Sequence, residues 1–352
     1  MIVLEAINVG KRFKGTQDWA VQGFDVRIHK GEVFGLLGES GCGKTTILRM
    51  IAGFEKPSQG EIILNRQTVA GSNVFVEPQK RNVGIVFQDY ALFPHKTVWE
   101  NIMFGLFRLS KEDAAQRANK NIEICGLVGL ENRYPHQLSG GQMQRVALAR
   151  ALAPEPQIIL FDEPFSNIDS VRKYQIRDNI RDIIRATNAT ALFVTHDTKD
   201  VLAVADRVAV LKNGRIIQSD TPATLYSKPV NAYVADFFGR TNILKATATK
   251  DGYETALGFI RSEKLRPAVH TEVTLAIRPE DFEISNDIEA CICGDVINQR
   301  FFGEFNEITC EVTGMHGDKT EVVIYTSPQN VCEDKLCYFR PKPDSLSVLK
   351  EE

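Results

Sequence analysis

Long apolar runs are missing from this 352-residue sequence. None approaches the ~18–20 consecutive apolar residues that a membrane-spanning helix needs, so we predict no transmembrane segment. An excess of charge of one sign is also missing: charged residues make up 25% of the chain and the formal net charge is -3. Such a balance gives no basic surface for binding nucleic acid or an acidic membrane, and we expect no nucleic-acid partner.

Cysteine is infrequent, with seven residues in the chain. Residues 1–5 lack the basic segment and cleavage site of a signal peptide, so we expect none. An odd number of cysteines without a secretion signal is typical of a reducing cytoplasm, not of a disulfide framework. Cys291 and Cys293 would share one face of a strand, but no C-x-x-C spacing or nearby histidine completes a tetrahedral metal site. We interpret the pair as small apolar packing residues.

The sequence does contain a glycine-rich stretch, residues 38–45, that fits the P-loop pattern G-x-x-x-x-G-K-[ST]. We call these residues the P-loop. The apolar segment 33–37 before it predicts a buried parallel strand, and residues 46–52 after it predict a helix. Free N–H groups between such a strand and the N-terminus of a helix face bound phosphate. Lys44 can reach the β- and γ-phosphates of a nucleotide, and Thr45 can offer its hydroxyl to Mg²⁺.

A polar turn at residues 11–19 carries two aromatic rings, Phe13 and Trp19. An exposed ring near a phosphate site can stack on a nucleotide base. Phe13 is the candidate that we favour and Trp19 is the alternative. In the competing interpretation, either ring only closes an edge of the sheet.

Polar side chains follow three further segments that predict buried strands. They are Gln88, the pair Asp162 and Glu163, and His196. Because ligands bind at the carboxyl ends of strands in open parallel sheets, we expect these side chains to converge on the same phosphate. The amide oxygen of Gln88 can contact Mg²⁺ or water, and Asp162 can hold Mg²⁺. Glu163 can orient or deprotonate the attacking water, and His196 can sense the γ-phosphate.

A second helix N-terminus is predicted at residues 138–142, Leu-Ser-Gly-Gly-Gln, ahead of a run of strong helix formers. The hydroxyl of Ser139 and the free N–H groups after it form another phosphate site. Since the P-loop already holds one nucleotide, a second phosphate site implies two surfaces that meet across one ATP. Tyr90 and Phe93, predicted to be exposed, indicate a docking surface for another protein.

The pattern changes after residues 239–242. Residues 226–238 predict the closing helix of a first domain, and short β-rich runs separated by Gly, Pro, Asn and Asp then predict a small β-barrel. The clearest strands are 271–277, 291–297, 307–312, 321–325 and 335–339. We therefore predict two domains, residues 1–237 and 238–352. The polar turn at Arg278 is a candidate for an interdomain contact.

The P-loop, Gln88, the 138–142 signature, the Asp162–Glu163 pair and His196 stand in the order of the ATP-binding-cassette (ABC) ATPases, which this chain resembles over residues 3–235. The signature separates that family from kinases, GTPases and other P-loop proteins. The resemblance implies an α/β P-loop NTPase with a parallel sheet core, an antiparallel β subdomain and a helical signature subdomain. The β-rich remainder is similar to the OB-like, TOBE-type regulatory barrel of ATPases from bacterial solute importers.

The resemblance also implies roles for individual residues. The ATP-binding set is Phe13, Gly38, Glu39, Ser40, Gly41, Cys42, Gly43, Lys44, Thr45, Thr46, Ser139, Gly140, Gly141, Gln142 and Asp169. Its catalytic set is Glu163, His196, Gln88 and Lys44, and its Mg²⁺ set is Thr45, Gln88 and Asp162. Phe13 would stack on adenine, Glu163 would be the general base, and Asp169 would couple the two sites of a dimer. Met143 and Ile168 stand where Gln and Leu are usual in the family.

The function implied is that of the energy-coupling subunit of a bacterial importer. A head-to-tail homodimer would bind two ATP with Mg²⁺ and drive two integral membrane permease subunits from the cytoplasmic face of the inner membrane. A periplasmic or surface solute-binding protein would take part indirectly. Residues 53–57, 133–138 and 151–156 are most similar to ferric iron importers, whereas 89–95 are shared with polyamine, sulfate and sugar importers, which stay as alternatives.

Three other classes fit the sequence less well. Non-transport ABC ATPases of translation or DNA repair usually carry two cassettes or a long coiled-coil insertion, and this chain has one cassette and no heptad run. An exporter half-transporter needs fused membrane helices. A binding protein that never hydrolyses ATP would not need Glu163 and His196.

Overall fold

The computed structural model describes residues 1–166, 168, 170–262, 268–285, 291–314, 317–329, 335–343 and 345–350, with the backbone alone at 170–172. It divides into two compact units, Met1–Ala223 and Thr224–Glu352. The predicted boundary at residue 237 therefore lies later than the structural one. Arg278 gives the reason: this buried side chain donates hydrogen bonds to the carbonyl oxygens of Tyr226 and Ala235, so the segment before residue 237 belongs to the second unit.

The described residues of the first unit contain ten strands and six complete α-helices. The strands are β1 (Ile2–Lys11), β2 (Val21–His29), β3 (Val33–Gly38), β4 (Gln59–Leu64), β5 (Gln67–Ala70), β6 (Val83–Val86), β7 (Ile158–Asp162), β8 (Ala191–Thr195), β9 (Arg207–Lys212) and β10 (Arg215–Asp220). The helices are α1 (Lys44–Ala52), α2 (Val98–Met103), α3 (Lys111–Ile124), α4 (Gly140–Leu152), α5 (Ser170–Thr187) and α6 (Thr198–Val204).

These strands form two sheets. The six-stranded sheet has the order β10-β9-β3-β8-β7-β6, and all its neighbours are parallel except the β9–β10 hairpin. The four-stranded sheet has the order β2-β1-β4-β5 and is antiparallel. The predicted parallel core with an antiparallel β subdomain is thus confirmed.

Both faces of the parallel sheet are covered. Along β7, Ile158 and Leu160 pack in one hydrophobic core, whereas Ile159 and Phe161 pack in the other. Phe161 also stacks on Phe193 of β8 at 4.1 Å between ring centroids. Strands buried on both faces have apolar residues at consecutive positions, which is why these segments were recognisable in the sequence.

Arg81 ties α1 to the antiparallel sheet. The side chain is 2% exposed, and its guanidinium donates hydrogen bonds to the carbonyl oxygens of Met50, Ile51, Val69 and Val76 at 2.7–3.2 Å. Burial lowers the pKa of Arg81 to about 10. A cation at the C-terminus of a helix also interacts favourably with the helix dipole, so Arg81 stabilises the end of the helix that follows the P-loop.

The second unit is built from antiparallel sheets. Its strands are β11 (Asn242–Ala248), β12 (Gly252–Thr255), β13 (Gly258–Arg261), β14 (Glu272–Ile277), β15 (Phe282–Ile284), β16 (Ile292–Phe301), β17 (Asn306–Thr313), β18 (Lys319–Thr326), β19 (Leu336–Pro341) and β20 (Leu346–Leu349). They pair as two five-stranded sheets, β13-β12-β11-β14-β20 and β15-β19-β16-β17-β18. Both sheets contribute to one hydrophobic core, as predicted for a small β-barrel.

Three expectations are corrected by the structure. The predicted helix 226–238 is two short helices, α7 (Pro222–Ser227) and α8 (Ala232–Phe237), because Pro229 lacks a backbone donor and Asn231 caps a new helix. Tyr90 is buried, not exposed. Cys293 is exposed, so it is not the packing residue that we expected.

The described residues contain no cluster of three histidine, cysteine or acidic side chains arranged to hold a metal ion. Among the helices in the described ranges, none combines the length and apolar character required to span a bilayer.

Candidate nucleotide-binding site

The P-loop connects β3 to α1 in a conformation that requires glycine. Gly43, at the N-cap of α1, has a φ of 108°, and a Cβ there would lie 2.3 Å from the carbonyl oxygen of Ala20. A Cβ at Gly38 would lie 2.6 Å from the carbonyl oxygen of Leu211. No side chain caps α1, so the N–H groups of its first turn stay available to an anion.

Lys44 crosses the P-loop. Its side chain is 5% exposed, and Nζ donates hydrogen bonds of 2.7 Å to the carbonyl oxygens of Gly38 and Glu39. The Sγ atom of Cys42 lies 3.9 Å from the same Nζ. Burial raises the pKa of the Cys42 thiol, against the opposing charge of Lys44, so the thiol stays protonated at neutral pH. The two carbonyl oxygens thus hold the ammonium group of Lys44 inside the loop.

The acidic pair at the end of β7 has two different environments. Asp162 is half-buried, and burial, followed by the charge of Glu163, raises the pKa of its carboxyl group, while Arg49 and Lys44 act against the rise. Glu163 adopts a φ of 45°, which a non-glycine residue rarely adopts, and its N–H donates to the carbonyl oxygen of Val194 at 2.9 Å.

His196 follows β8, the neighbour of β7 in the sheet. Its Nδ1 lies 3.2 Å from Oε1 of Glu163, and the exposed fractions of the two side chains are 52% and 21%. The structure thus brings Glu163 and His196 together at the edge of the sheet where β3 leads into the P-loop. Such a pair can fix a carboxylate beside a solvent-accessible space, as a general base requires.

The other predicted residues lie in different segments, and among the described residues neither candidate aromatic ring contacts the Glu163–His196 pair. Gln88 lies exposed in the turn that follows β6. Phe13 is 42% exposed, and Nζ of Lys11 lies 5.2 Å from its ring centroid. The alternative ring, Trp19, lines a cavity of about 720 Å³ together with Gly41 of the P-loop. Asp169 lies outside the described residues.

The signature residues begin α4. The Oγ atom of Ser139 accepts a hydrogen bond from the N–H of Gln142 at 3.4 Å, and Oε1 of Gln142 accepts one from the N–H of Ser139 at 2.9 Å. Ser139, Gly140, Gly141 and Gln142 line a cavity of about 420 Å³ whose lining includes no residue of the P-loop. The signature cavity is therefore separate from the P-loop residues of the same chain.

The proposed magnesium ligands are compatible with that ion. Thr45, Gln88 and Asp162 offer a hydroxyl, an amide and a carboxylate oxygen, the hard donors that Mg²⁺ prefers. Thr45 is exposed at the first turn of α1, and the raised pKa of Asp162 is of the kind that a nearby cation would offset. Because Mg²⁺ usually retains waters and substrate phosphates as ligands, it needs no cluster of three acidic side chains.

The sequence did not lead us to predict two sets of buried charged side chains. Arg81 holds the end of α1, and Arg177 with Asp200 forms an ion pair beside β8. Lys173 and Arg177 are four residues apart and so share one face of α5, which was a possible signal. Their partners lie about twenty residues or more away, and a pattern of residue types does not identify such pairs.

Comparison with known proteins agrees with the motifs. The family description "ABC transporter" matches residues 21–166. A spermidine/putrescine import ATP-binding protein of Rubrobacter xylanophilus is 42% identical over 84% of this chain and 80% of its own. An Fe(3+) ions import ATP-binding protein of Photorhabdus laumondii is 39% identical over 88% of each chain.

Solved structures of ABC proteins are also similar. The cbiO1 protein of Clostridium perfringens, part of the ABC transporter complex cbiONQ, has a TM-score of 0.59 and 28% identity over 64% of this chain and 90% of its own. The dimeric ATP-binding cassette MJ0796, in a post-hydrolysis state with ADP and Pi, has a TM-score of 0.54 and 31% identity over 62% and 98%. The chain therefore belongs to the ABC transporter family, as an ATP-hydrolysing subunit of an importer.

Proposed function

We propose that this chain hydrolyses ATP to drive the import of ferric iron, with Glu163 as general base. The observation that carries the catalytic assignment is the 3.2 Å separation between Nδ1 of His196 and Oε1 of Glu163. Glu163 accepts a proton from the attacking water. His196 orients that carboxylate and reaches the γ-phosphate, and Gln88 contacts the water or the γ-phosphate through its side-chain amide.

The P-loop holds the phosphates of ATP. The N–H groups at the start of α1 donate to the phosphate oxygens, and Lys44 exchanges its bonds to the carbonyl oxygens of Gly38 and Glu39 for the β- and γ-phosphates. Phe13 stacks on the adenine. Thr45, Asp162 and Gln88 would hold Mg²⁺, which supplies positive charge to the phosphates when bound. Catalysis of this kind depends mainly on positioning and electrostatic stabilisation.

Two copies act together in this proposal. No residue of the P-loop lines the signature cavity, which supports the proposal that the residues from Ser139 to Gln142 contact the γ-phosphate of an ATP held by a second copy. The dimeric state of the similar cassette MJ0796 supports a head-to-tail homodimer. Asp169 would couple the two sites. The dimer acts on two integral membrane permease subunits at the cytoplasmic face of the inner membrane, and a solute-binding protein delivers the solute to the permease.

Ferric iron is the proposed solute, and a polyamine is the second candidate. Residues 53–57, 133–138 and 151–156 support iron by their similarity to ferric iron importers. The 42% identical relative carries a spermidine/putrescine name, which favours the polyamine candidate. The same family resemblance supports a regulatory role for the β-rich unit.

Uptake of labelled solutes tests the proposal. Cells whose only copy of this chain carries Glu163→Gln are compared with cells that carry the unchanged chain and with an Arg185→Gln control, which removes an exposed ion pair to Asp206. Loss of labelled ferric iron uptake, with spermidine uptake unchanged, supports the iron assignment. Loss of spermidine uptake alone replaces iron by a polyamine, and no change in either solute favours another solute or a non-transport role.

A further inference from the structure

We propose that Arg177, assisted by Lys173, is a positioning residue that holds the backbone on both sides of His196. The inference rests on the proposed role of His196 in ATP hydrolysis. Both basic residues belong to α5, and they contact Asp197 and Asp200, which follow His196 in the chain.

The contacts form a compact buried network. Arg177 donates from Nε to Oδ1 of Asp200 at 2.6 Å, and its NH2 group lies 2.5 Å from the same oxygen and 3.1 Å from Oδ2 of Asp197. Nζ of Lys173 lies 2.5 Å from Oδ2 of Asp197 and 3.4 Å from Oδ1 of Asp200. The side chains of Arg177 and Asp200 are only 3% and 4% exposed, so their ion pair is shielded from solvent and salt.

Thr195 connects this network to the residue before His196. Its Oγ1 donates a hydrogen bond of 3.0 Å to Oδ2 of Asp200 and accepts one of 3.0 Å from the N–H of Asp197. Residues 195 and 197 are therefore both fixed to the carboxylates that Arg177 holds. His196 lies between two anchored neighbours, while its own ring is half-exposed and directed to Glu163.

The geometry explains why an arginine occupies this position. One guanidinium reaches the carboxylates of both Asp197 and Asp200 from a planar, fixed group, which the single ammonium of a lysine does not reproduce. A rigid support matters here because a displacement of a reacting group by 1 Å can lower a rate on the order of 100-fold. By contrast, Arg185 on the same helix forms an exposed ion pair with Asp206, the residue before β9, and contacts neither Asp197 nor Asp200 in the described ion pairs.

ATP hydrolysis by the full-length chain tests this role. The variants are Arg177→Lys, Arg177→Met, Lys173→Met and His196→Ala, each Arg177 change combined with His196→Ala, and Arg185→Gln as the matched control. The measurements are kcat, KM for ATP, the affinity for a fluorescent ATP analogue, and the midpoint of thermal unfolding. Arg177→Lys and Lys173→Met keep at least one cation in the network, so they provide folded protein if Arg177→Met does not fold.

We expect Arg177→Lys to lower kcat by about 3–10-fold while KM and analogue affinity change by less than about 2-fold. In the His196→Ala background the same change should lower kcat by less than about 2-fold, because its effect acts through His196. Arg185→Gln should leave kcat unchanged.

Several results would overturn the inference. They are an unchanged kcat in Arg177→Lys, an equal loss of kcat in both backgrounds, or a loss of kcat in Arg177→Lys when His196→Ala itself has no effect. The last result would also remove His196 from the proposed catalytic set. The first two leave the catalytic set intact. An unchanged kcat assigns Arg177 to stability alone, which a lower unfolding midpoint reports, and an equal loss of kcat shows that Arg177 affects turnover without acting through His196.

Discussion

Nδ1 of His196 lies 3.2 Å from Oε1 of Glu163, although the two residues follow different strands. Pairing of β7 with β8 brings the ends of these strands side by side, and the left-handed turn at Glu163 directs its side chain towards the histidine. The N–H of Glu163 is in turn fixed to the carbonyl oxygen of Val194. A carboxylate held at both its backbone and its side chain needs little reorganisation before it accepts a proton.

Glu163→Gln should remove turnover and leave nucleotide binding intact. The amide keeps the shape of the side chain but accepts no proton from water, so kcat should fall by about 10²–10⁴-fold. The affinity for ATP should change by less than about 2-fold, because Lys44 and the P-loop are untouched. Release of phosphate and equilibrium binding of a fluorescent ATP analogue measure the two quantities. Turnover within about 10-fold of the unchanged chain would assign the base to another residue.

Gly43→Ala should damage the P-loop more than Gly41→Ala does. Both glycines have positive φ, 108° and 84°, so both substitutions introduce backbone strain of about 1–2 kcal/mol. A Cβ at Gly43 also meets the carbonyl oxygen of Ala20 at 2.3 Å, whereas a Cβ at Gly41 meets nothing within 4 Å. We expect Gly43→Ala to weaken ATP binding at least about 10-fold more than Gly41→Ala, as measured by titration. Equal losses of ATP affinity in the two variants would mean that backbone strain at positive φ, and not the clash with Ala20, weakens binding.

Phe13→Ala should weaken ATP binding by about 5–10-fold, the low end of the range for loss of one base–aromatic stack. Trp19→Ala is the matched comparison, because Trp19 lines the cavity beside Gly41. Titration with ATP and with triphosphate alone separates loss of stacking from damage to the loop, since the triphosphate has no base to stack. A larger, base-dependent loss in Trp19→Ala would transfer the stacking role to Trp19.

Asp162→Asn should stabilise the chain at neutral pH when Mg²⁺ and nucleotide are absent. Burial and the charge of Glu163 raise the pKa of Asp162, so the folded chain binds the proton more tightly than the unfolded chain does. Stability from this group is therefore full below the unfolded pKa of about 3.9 and falls as the pH rises through the folded value. Asparagine has no carboxyl group to ionise, so the variant avoids this loss of stability at neutral pH. Its unfolding midpoint should rise by about 2–4 °C for each kcal/mol of folding free energy regained.

The advantage of Asp162→Asn should shrink as the pH is lowered, which thermal unfolding at pH 7.5 and pH 5 can measure. With Mg²⁺ and ATP present, the unchanged chain should become the more stable of the two, because the variant offers the ion no carboxylate. If Asp162→Asn raises the unfolding midpoint equally at both pH values, the added stability comes from packing and not from removal of the charge.

The strands and helices that carry the site were predictable because they combine strong local signals. Val33, Phe34 and their neighbours form a short apolar run directly before a glycine-rich loop, and the strand predicted there is observed as β3. Short strands such as β12 and β13 were missed, because four residues carry too little periodicity to distinguish a strand from a turn. Local patterns therefore identify the phosphate-binding elements but not every strand around them.

Long-range contacts explain the remaining errors and omissions. Tyr90 adopts a φ of 63°, and the carbonyl oxygens of Tyr90 and Ala91 accept hydrogen bonds from Arg150 on α4. These contacts hold the turn against α4, and the side chain of Tyr90, which we predicted to be exposed, is buried. The partners of Arg177 are likewise distant in sequence, so the support of His196 became visible only in three dimensions.

The hydrogen bonds of Arg81 restrict how α1 can move relative to the antiparallel sheet. Its guanidinium donates two hydrogen bonds to the last turn of α1 and two to the carbonyl oxygens of Val69 and Val76, so separating the P-loop helix from the antiparallel sheet would break two of the four. Each hydrogen bond to a charged group contributes about 1.5–3 kcal/mol, so this separation is costly. These parts should therefore move as one rigid body. We expect any rotation on ATP binding to leave the contact between α1 and the antiparallel sheet intact.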